Sequence, residues 1–188
     1  MTAAMRTAYL DIETTYVGPY KDERLFKDFN NHKITVIGVR IVDGPAESFL
    51  QLVGEGATRE NLIKALEGVE RLVTYNGRSL PDKVKGYTGF DFPAIAAQLG
   101  VVLDKLFPHV DLCPLCWKAN LWGGLKVVEQ ALGLKRELPG KDGKWADEVW
   151  KEYQKTGDRR LLDELLAYNR EDVFMLARLE DKLAQRRT

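Results

Sequence analysis

The stretch Tyr9-Leu10-Asp11-Ile12-Glu13-Thr14-Thr15 decides how the chain reads. It has the composition of a short strand, with an aromatic and a leucine leading in. Successive strand side chains point to opposite faces, so Asp11 and Glu13 project from one face while Leu10 and Ile12 take the other. Two carboxylates this close repel each other, and burial raises the cost of keeping both ionised. A fold that holds such a pair near its core neutralises it with a cation. The rest of the chain is therefore expected to supply further ligands.

At 188 residues the chain fits one domain, taken here as 1–188, and is long enough for a sizeable core. The 28 basic and 28 acidic residues balance, and the apolar fraction of 45% is that of an ordinary globular protein. Neutral net charge argues against binding nucleic acid merely by being basic. It leaves room for an acidic metal site offset by basic surface elsewhere. No apolar run is long enough to span a membrane, and residues 1–8 have no apolar core of a secretory signal, so a cytoplasmic location is expected. Cys113 and Cys116, with His32 and His109 distant in sequence, make a poor zinc set; two buried thiols in a reducing compartment are expected.

Downstream, Lys33–Val42 and Glu47–Val53 read as strands around the turn Asp43-Gly44-Pro45, giving an antiparallel meander with the first strand. Thr58 caps a helix running to Val69, and Arg71–Tyr75 returns as a strand, so a crossover and a parallel neighbour are expected. Asp91-Phe92-Pro93 opens a helix ending at Gly100, with Asp91 read as an N-cap. His109–Cys113 is the fifth strand. Helical segments follow near Leu115–Leu121, Leu125–Leu132 and Trp145–Gln154, and Asp158 starts the longest, to about Ala184. Strands first and helices later describe an α/β protein, a mixed five-stranded sheet flanked by helices.

In the last helix Tyr168 and Asp172 stand one turn apart on one face, beside the stripe Leu162, Leu165, Leu166, Val173, Leu176, Leu179 and Leu183, which places Asp172 at the margin of the core. Taken singly, Asp172 reads as a solvated or salt-bridged helix carboxylate, Tyr168 as a core-edge aromatic and Asn76-Gly77 as a turn. Together they carry more. Asp11 and Glu13 with Thr14, then Asn76 and Asp91, then Tyr168 and Asp172 resemble the three exonuclease motifs of the DEDD superfamily in its tyrosine variant. Leu125-Lys126, Glu129, Leu132-Gly133, Gly140, Trp150, Tyr153, Gly157-Asp158 and Tyr168-Asn169 further resemble its YprB-like branch. One interval departs from the pattern: Ser79–Gly89, with Lys83, Lys85 and Tyr87, separates Asn76 from Asp91.

The resemblance implies a ribonuclease H-like fold over nearly the whole chain and a 3′→5′ exonuclease acting on a single strand with a free 3′ end. It implies Asp11, Glu13, Asp91 and Asp172 as ligands of two divalent ions, Mg²⁺ or Mn²⁺, which suit oxygen donors. Tyr168 is expected to orient the attacking water with Glu13 rather than act as a strong base, given an ordinary pKa of about 10. Thr14 and Asn76 are expected to contact substrate. DNA is the favoured strand; an exoribonuclease and a non-catalytic nucleic-acid-binding module are the rivals. Trp117, Trp122, Trp145 and Trp150 offer faces that could stack on bases, but at least three of them are expected to be packing anchors. The basic run Lys126, Lys135, Arg136, Lys141 and Lys144 reads as a solvated face, with contact to the backbone of a single strand as the second reading.

Overall fold

The structure is a computed structural model that describes residues 5–18, 28–78 and 89–186. The Ser79–Gly89 interval, with Lys83, Lys85 and Tyr87, lies outside the described residues apart from Gly89. Five strands form one mixed sheet: β1 (Thr7–Tyr16), β2 (His32–Asp43), β3 (Ala46–Val53), β4 (Arg71–Thr74) and β5 (His109–Asp111), in the order β3-β2-β1-β4-β5. The β1–β2 and β2–β3 pairs are antiparallel, the β1–β4 and β4–β5 pairs parallel. The meander and the crossover strand thus stand as the sequence predicts.

The alternation along β1 sorts the two faces. Ala8, Leu10 and Ile12 enter a core with helices α1 (Arg59–Ala65) and α2 (Asp91–Leu99), while Tyr9 enters the core on the other face. That second core is built with α4 (Leu112–Lys118), α5 (Leu125–Ala131) and the long α7 (Arg159–Gln185); a short α3 (Leu103–Leu106) precedes β5. Helix α6 (Gly143–Thr156) packs Ala146 and Trp150 with Leu162, Leu165 and Tyr168 in a third cluster. Asp11 and Glu13 share Tyr9's parity, so they face α7.

Local chemistry sets the element ends. The Asp158 side chain accepts from the Arg160 N–H to start α7, Asp142 does the same for Trp145 in α6, and Thr58 caps α1 through Asn61. Helix α1 stops at Ala65 rather than Val69, because the chain turns through Gly68 at φ 73°. Strand β5 stops at Asp111 rather than Cys113, because the Asp111 carboxylate caps α4 through the Cys113 N–H. Helix α4 accordingly begins three residues before the predicted Leu115. The α2 N-cap is Phe90 rather than Asp91, which frees Asp91's side chain to point elsewhere. Cys113 and Cys116 are unbridged and buried, and burial pushes their thiols up to about 11 and about 12. Among the described residues no helix is long and apolar enough to cross a membrane.

His109 gives the fold a pH signature. Its Nε2 lies 2.9 Å from Thr74 Oγ1 and its ring packs 4.3 Å from that of Phe92. Burial pushes its pKa down to about 4, outweighing Asp111 and Asp104, which act to raise it; Arg78 adds to the lowering. A neutral-only histidine stabilises fully above the unfolded pKa of about 6.5 and loses that contribution as pH falls toward its folded value. The melting temperature of the wild type should therefore fall relative to His109→Gln between about pH 6.5 and 4; parallel curves would contradict a buried neutral ring.

Candidate active site

The chain brings four carboxylates to one cleft from three elements. Asp11 and Glu13 come from the middle of β1, Asp172 from α7 and Asp91 from the first turn of α2. One oxygen each from Asp11, Glu13 and Asp172 lies within 4.8 Å of the others. Asp91 lines the same cleft outside that tight group; it is 5% exposed, and its Oδ2 has no hydrogen-bond partner among the described residues. Burial, then mutual repulsion, raises the pKa of Asp11, Glu13 and Asp91 well above the carboxylate range. A buried cluster of this kind, with a buried carboxylate oxygen left unpartnered among the described residues, is chemically incomplete without cationic partners. Its all-oxygen donor set fits hard divalent ions.

Close packing of α7 on the sheet makes the cluster possible. Gly38 of β2 stands opposite Asp11, and a Cβ there would lie 2.3 Å from Asn169 Oδ1 and 2.8 Å from a Val173 methyl. Asn169 fills that space, donating from Nδ2 to Asp11 Oδ2 at 3.1 Å and to the Asp11 carbonyl at 3.3 Å, while Gln51 donates to its Oδ1 at 3.0 Å. Asp172 is thereby buried at 6% rather than lying at the core margin. Gly38→Ala should cost roughly 1–3 kcal/mol by overpacking. By shifting Asn169 and Asp172 it should also lower turnover about 10–100-fold. Denaturant unfolding and kcat would read the two effects, and unchanged turnover would show that α7 tolerates the shift.

The second-motif residues are held from both sides of the interval between them. The Phe90 N–H donates to the Asn76 carbonyl at 2.7 Å, and the Phe92 N–H to the Gly77 carbonyl at 2.8 Å. Asn76 adopts φ 60°, and its N–H donates to Asp111 Oδ1 at 2.8 Å. A side chain at Gly77 would collide with Thr74, 2.1 Å from its Oγ1, so the Asn-Gly pair is demanded by backbone geometry. Asn76 and Thr14 both line the cleft; the Thr14 hydroxyl lies 3.3 Å from His32 Nδ1, beside an irregularity of the β1–β2 register between Glu13 and Thr14. Asp111, which fixes both the Asn76 turn and the start of α4, carries no such signal in the sequence.

Tyr168 lies one turn before Asp172 and is 3% exposed. Burial and the neighbouring Asp172, Glu13 and Asp11 push its phenol far above the ordinary value, so it stays protonated and serves as a hydrogen-bonding group. Lys126 hydrogen-bonds its hydroxyl, lies over its ring at 4.4 Å and approaches Asp172 Oδ2 at 4.0 Å.

The basic run is not uniformly solvated. Arg136 is 8% exposed at its side chain, contacting Glu129 through Nε at 2.5 Å and Nη2 at 2.8 Å, Asp172 through Nη1 at 2.5 Å, and Glu171 at 3.6 Å. Glu129 is itself 1% exposed. Lys141 instead pairs with Glu164 at 2.9 Å, and Lys144 stays on the surface. A loop arginine has no periodicity to betray its burial, so the sequence pointed to Glu129 only through the branch resemblance and to Arg136 only as part of a basic run.

The cleft has a volume of about 810 Å³. Besides the carboxylates it is lined by Tyr75, Trp117, Trp122, Leu125, Lys144 and Tyr168. A five-stranded mixed sheet with a carboxylate pair on its central strand and a third carboxylate on a C-terminal helix defines a ribonuclease H-like α/β protein. The sequence profile of the RNase H superfamily matches residues 8–184, and the chain belongs to that superfamily. Membership indicates a nuclease-type hydrolase, and the buried acidic cluster is compatible with a divalent metal centre. No curated protein sequence matches the chain.

Proposed function

We propose that the protein is a 3′→5′ exonuclease of the DEDD superfamily, tyrosine variant, in its YprB-like branch. It acts as a single cytoplasmic domain over residues 1–188, and it hydrolyses single-stranded nucleic acid, DNA in preference, to nucleoside 5′-monophosphates. The observation that carries this reading is Tyr168 one turn before Asp172, both buried and meeting Asp11 and Glu13 across the α7–β1 contact. Asp11, Glu13, Asp91 and Asp172 are the residues that would hold two divalent ions, Mg²⁺ or Mn²⁺. When bound, such ions lower the pKa of the attacking water and stabilise the departing oxygen.

The chain's own groups do the rest. The protonated Tyr168 phenol donates a hydrogen bond that fixes the attacking water, and Glu13 accepts from the same water. Lys126, already on the Tyr168 hydroxyl, keeps a positive charge beside the place where negative charge develops. Asn169 fixes the Asp11 carboxylate. Thr14 and Asn76 contact the strand from the cleft wall. A purely binding module gains nothing from concentrated negative charge facing phosphates, which favours catalysis over the non-catalytic alternative.

The deciding assay uses single-stranded DNA and RNA of one sequence, labelled at the 5′ or 3′ end, with Mg²⁺ or Mn²⁺. The 5′-labelled DNA should shorten progressively, and 3′-labelled DNA should release the label as mononucleotide at once. RNA should be degraded more slowly. Internal cuts, or no hydrolysis of either strand, would overturn the reading; faster loss of RNA would move it to an exoribonuclease.

A further inference from the structure

Trp122 is the largest side chain the described fold leaves in water, at 65% exposure, although 36 residues form the buried apolar core. It is not loose. Its ring stacks on that of Trp117 with centroids 5.7 Å apart and planes 15° from parallel. The loop that follows is pinned, because the Tyr75 hydroxyl donates to the Gly123 carbonyl at 2.6 Å. Gly123 holds φ 119°, and a Cβ there would lie 2.9 Å from Val127, so this backbone is shaped rather than merely permissive. Gly123 and Gly124 keep the wall free of side chains beyond Trp122, and Trp117, Trp122, Gly123 and Gly124 line the same cleft as the carboxylates.

The cleft is divided chemically. Asp11, Glu13, Asp91 and Asp172 make one part strongly anionic, whereas Tyr75, Trp117, Trp122 and Leu125 make another apolar and aromatic. Among the described lining residues Lys144 is the one Lys or Arg. Lys126 and Arg136 are committed to Tyr168 and to the acidic side chains around them. This wall is therefore poorly suited to phosphates and well suited to flat, unpaired bases, since every base presents a π-face to an aromatic ring.

We infer that the stacked Trp117–Trp122 pair is a base-stacking platform that seats unpaired nucleobases of the strand whose end enters the carboxylate cleft. The inference rests on the nucleic-acid reading proposed above, and it adds how the strand is gripped. Because the base faces inside a duplex are covered by neighbouring pairs, the platform favours unpaired strands, which offer it a face at every base, over duplex, and it does so without reading sequence.

The test is binding by the full-length protein in EDTA, where no strand can be cut. Fluorescein-labelled (dT)₁₂ is compared with an abasic 12-mer of equal charge and with a blunt 12-bp duplex. The wild type should bind (dT)₁₂ with quenching of tryptophan emission, and at least tenfold more tightly than the abasic strand or the duplex. Trp122→Ala should lose about tenfold in (dT)₁₂ affinity, the scale of one stacked base, with no change toward the abasic strand, and Trp122→Phe should recover most of the loss. Far-ultraviolet circular dichroism and melting temperature verify that these surface variants fold. Equal affinity of wild type and Trp122→Ala for (dT)₁₂, or equal wild-type affinity for (dT)₁₂ and the abasic strand, would overturn the platform. Hydrolysis of bis(p-nitrophenyl) phosphate in Mn²⁺ separates the two readings. A wild type that binds as described but hydrolyses neither this ester nor any strand keeps the platform and loses the exonuclease.

Discussion

Asp11→Asn is expected to lower hydrolysis by on the order of a thousandfold or more while raising the melting temperature of the metal-free protein. The two effects have one cause. Asp11 stands next to Asp172 and Glu13, where burial and repulsion disfavour its charge, and among the described residues it is Asn169 that hydrogen-bonds it. Asparagine has nearly the same shape and still accepts from Asn169 Nδ2, so packing is preserved while one repelling charge disappears. In a chain of this length each kcal/mol so recovered is worth about 2–4 °C. The same substitution removes a charge that divalent ions would use. The rise in melting temperature on adding Mg²⁺ or Mn²⁺ should therefore shrink sharply. Wild-type turnover, or a lower metal-free melting temperature, would contradict this account.

Arg136→Met should be the most destabilising single change in the site, by roughly 3–5 kcal/mol. It leaves Glu129 and Asp172 buried without their guanidinium partner, and Glu171 without its neighbour. Charge removal on the acidic side should restore much of the loss: Glu129→Gln in the Arg136→Met background ought to be more stable than Arg136→Met alone, although Glu129→Gln by itself destabilises the wild type. Urea unfolding of the four proteins in EDTA closes this cycle. Strict additivity would show that Arg136 and Glu129 do not stabilise each other. Divalent ions should recover only part of the deficit, because they neutralise the Asp172 end of the network and leave Glu129 stranded.

The elements with strong local signals were legible in the sequence. Strand β1, its carboxylate pair, the meander and the 27-residue α7 all follow from alternation, turn chemistry and a leucine stripe. The misread residues are those whose environment is made by distant chain. Asp172 looks marginal on a helix diagram, yet it is buried because Gly38, 134 positions away, lets α7 approach. Asp91 looks like an N-cap because its neighbours are those of a helix start, but Phe90 occupies that position. Arg136 sits in a basic loop whose composition announces solvent, and only the folded chain reveals Glu129 waiting for it. Of the four tryptophans, Trp150 is buried and Trp145 packs edge-on to Tyr168, while Trp117 and Trp122 stack on each other and Trp122 is exposed.

The two backbone hydrogen bonds that join Asn76 and Gly77 to Phe90 and Phe92 act as a clasp. They fix the start of α2, and with it Asp91, whatever chain runs between them. Loop-closure entropy grows only slowly with length, about 0.6 kcal/mol for each doubling. A clasped interval is thus nearly free to lengthen, shorten or change composition without moving the Asp91 carboxylate.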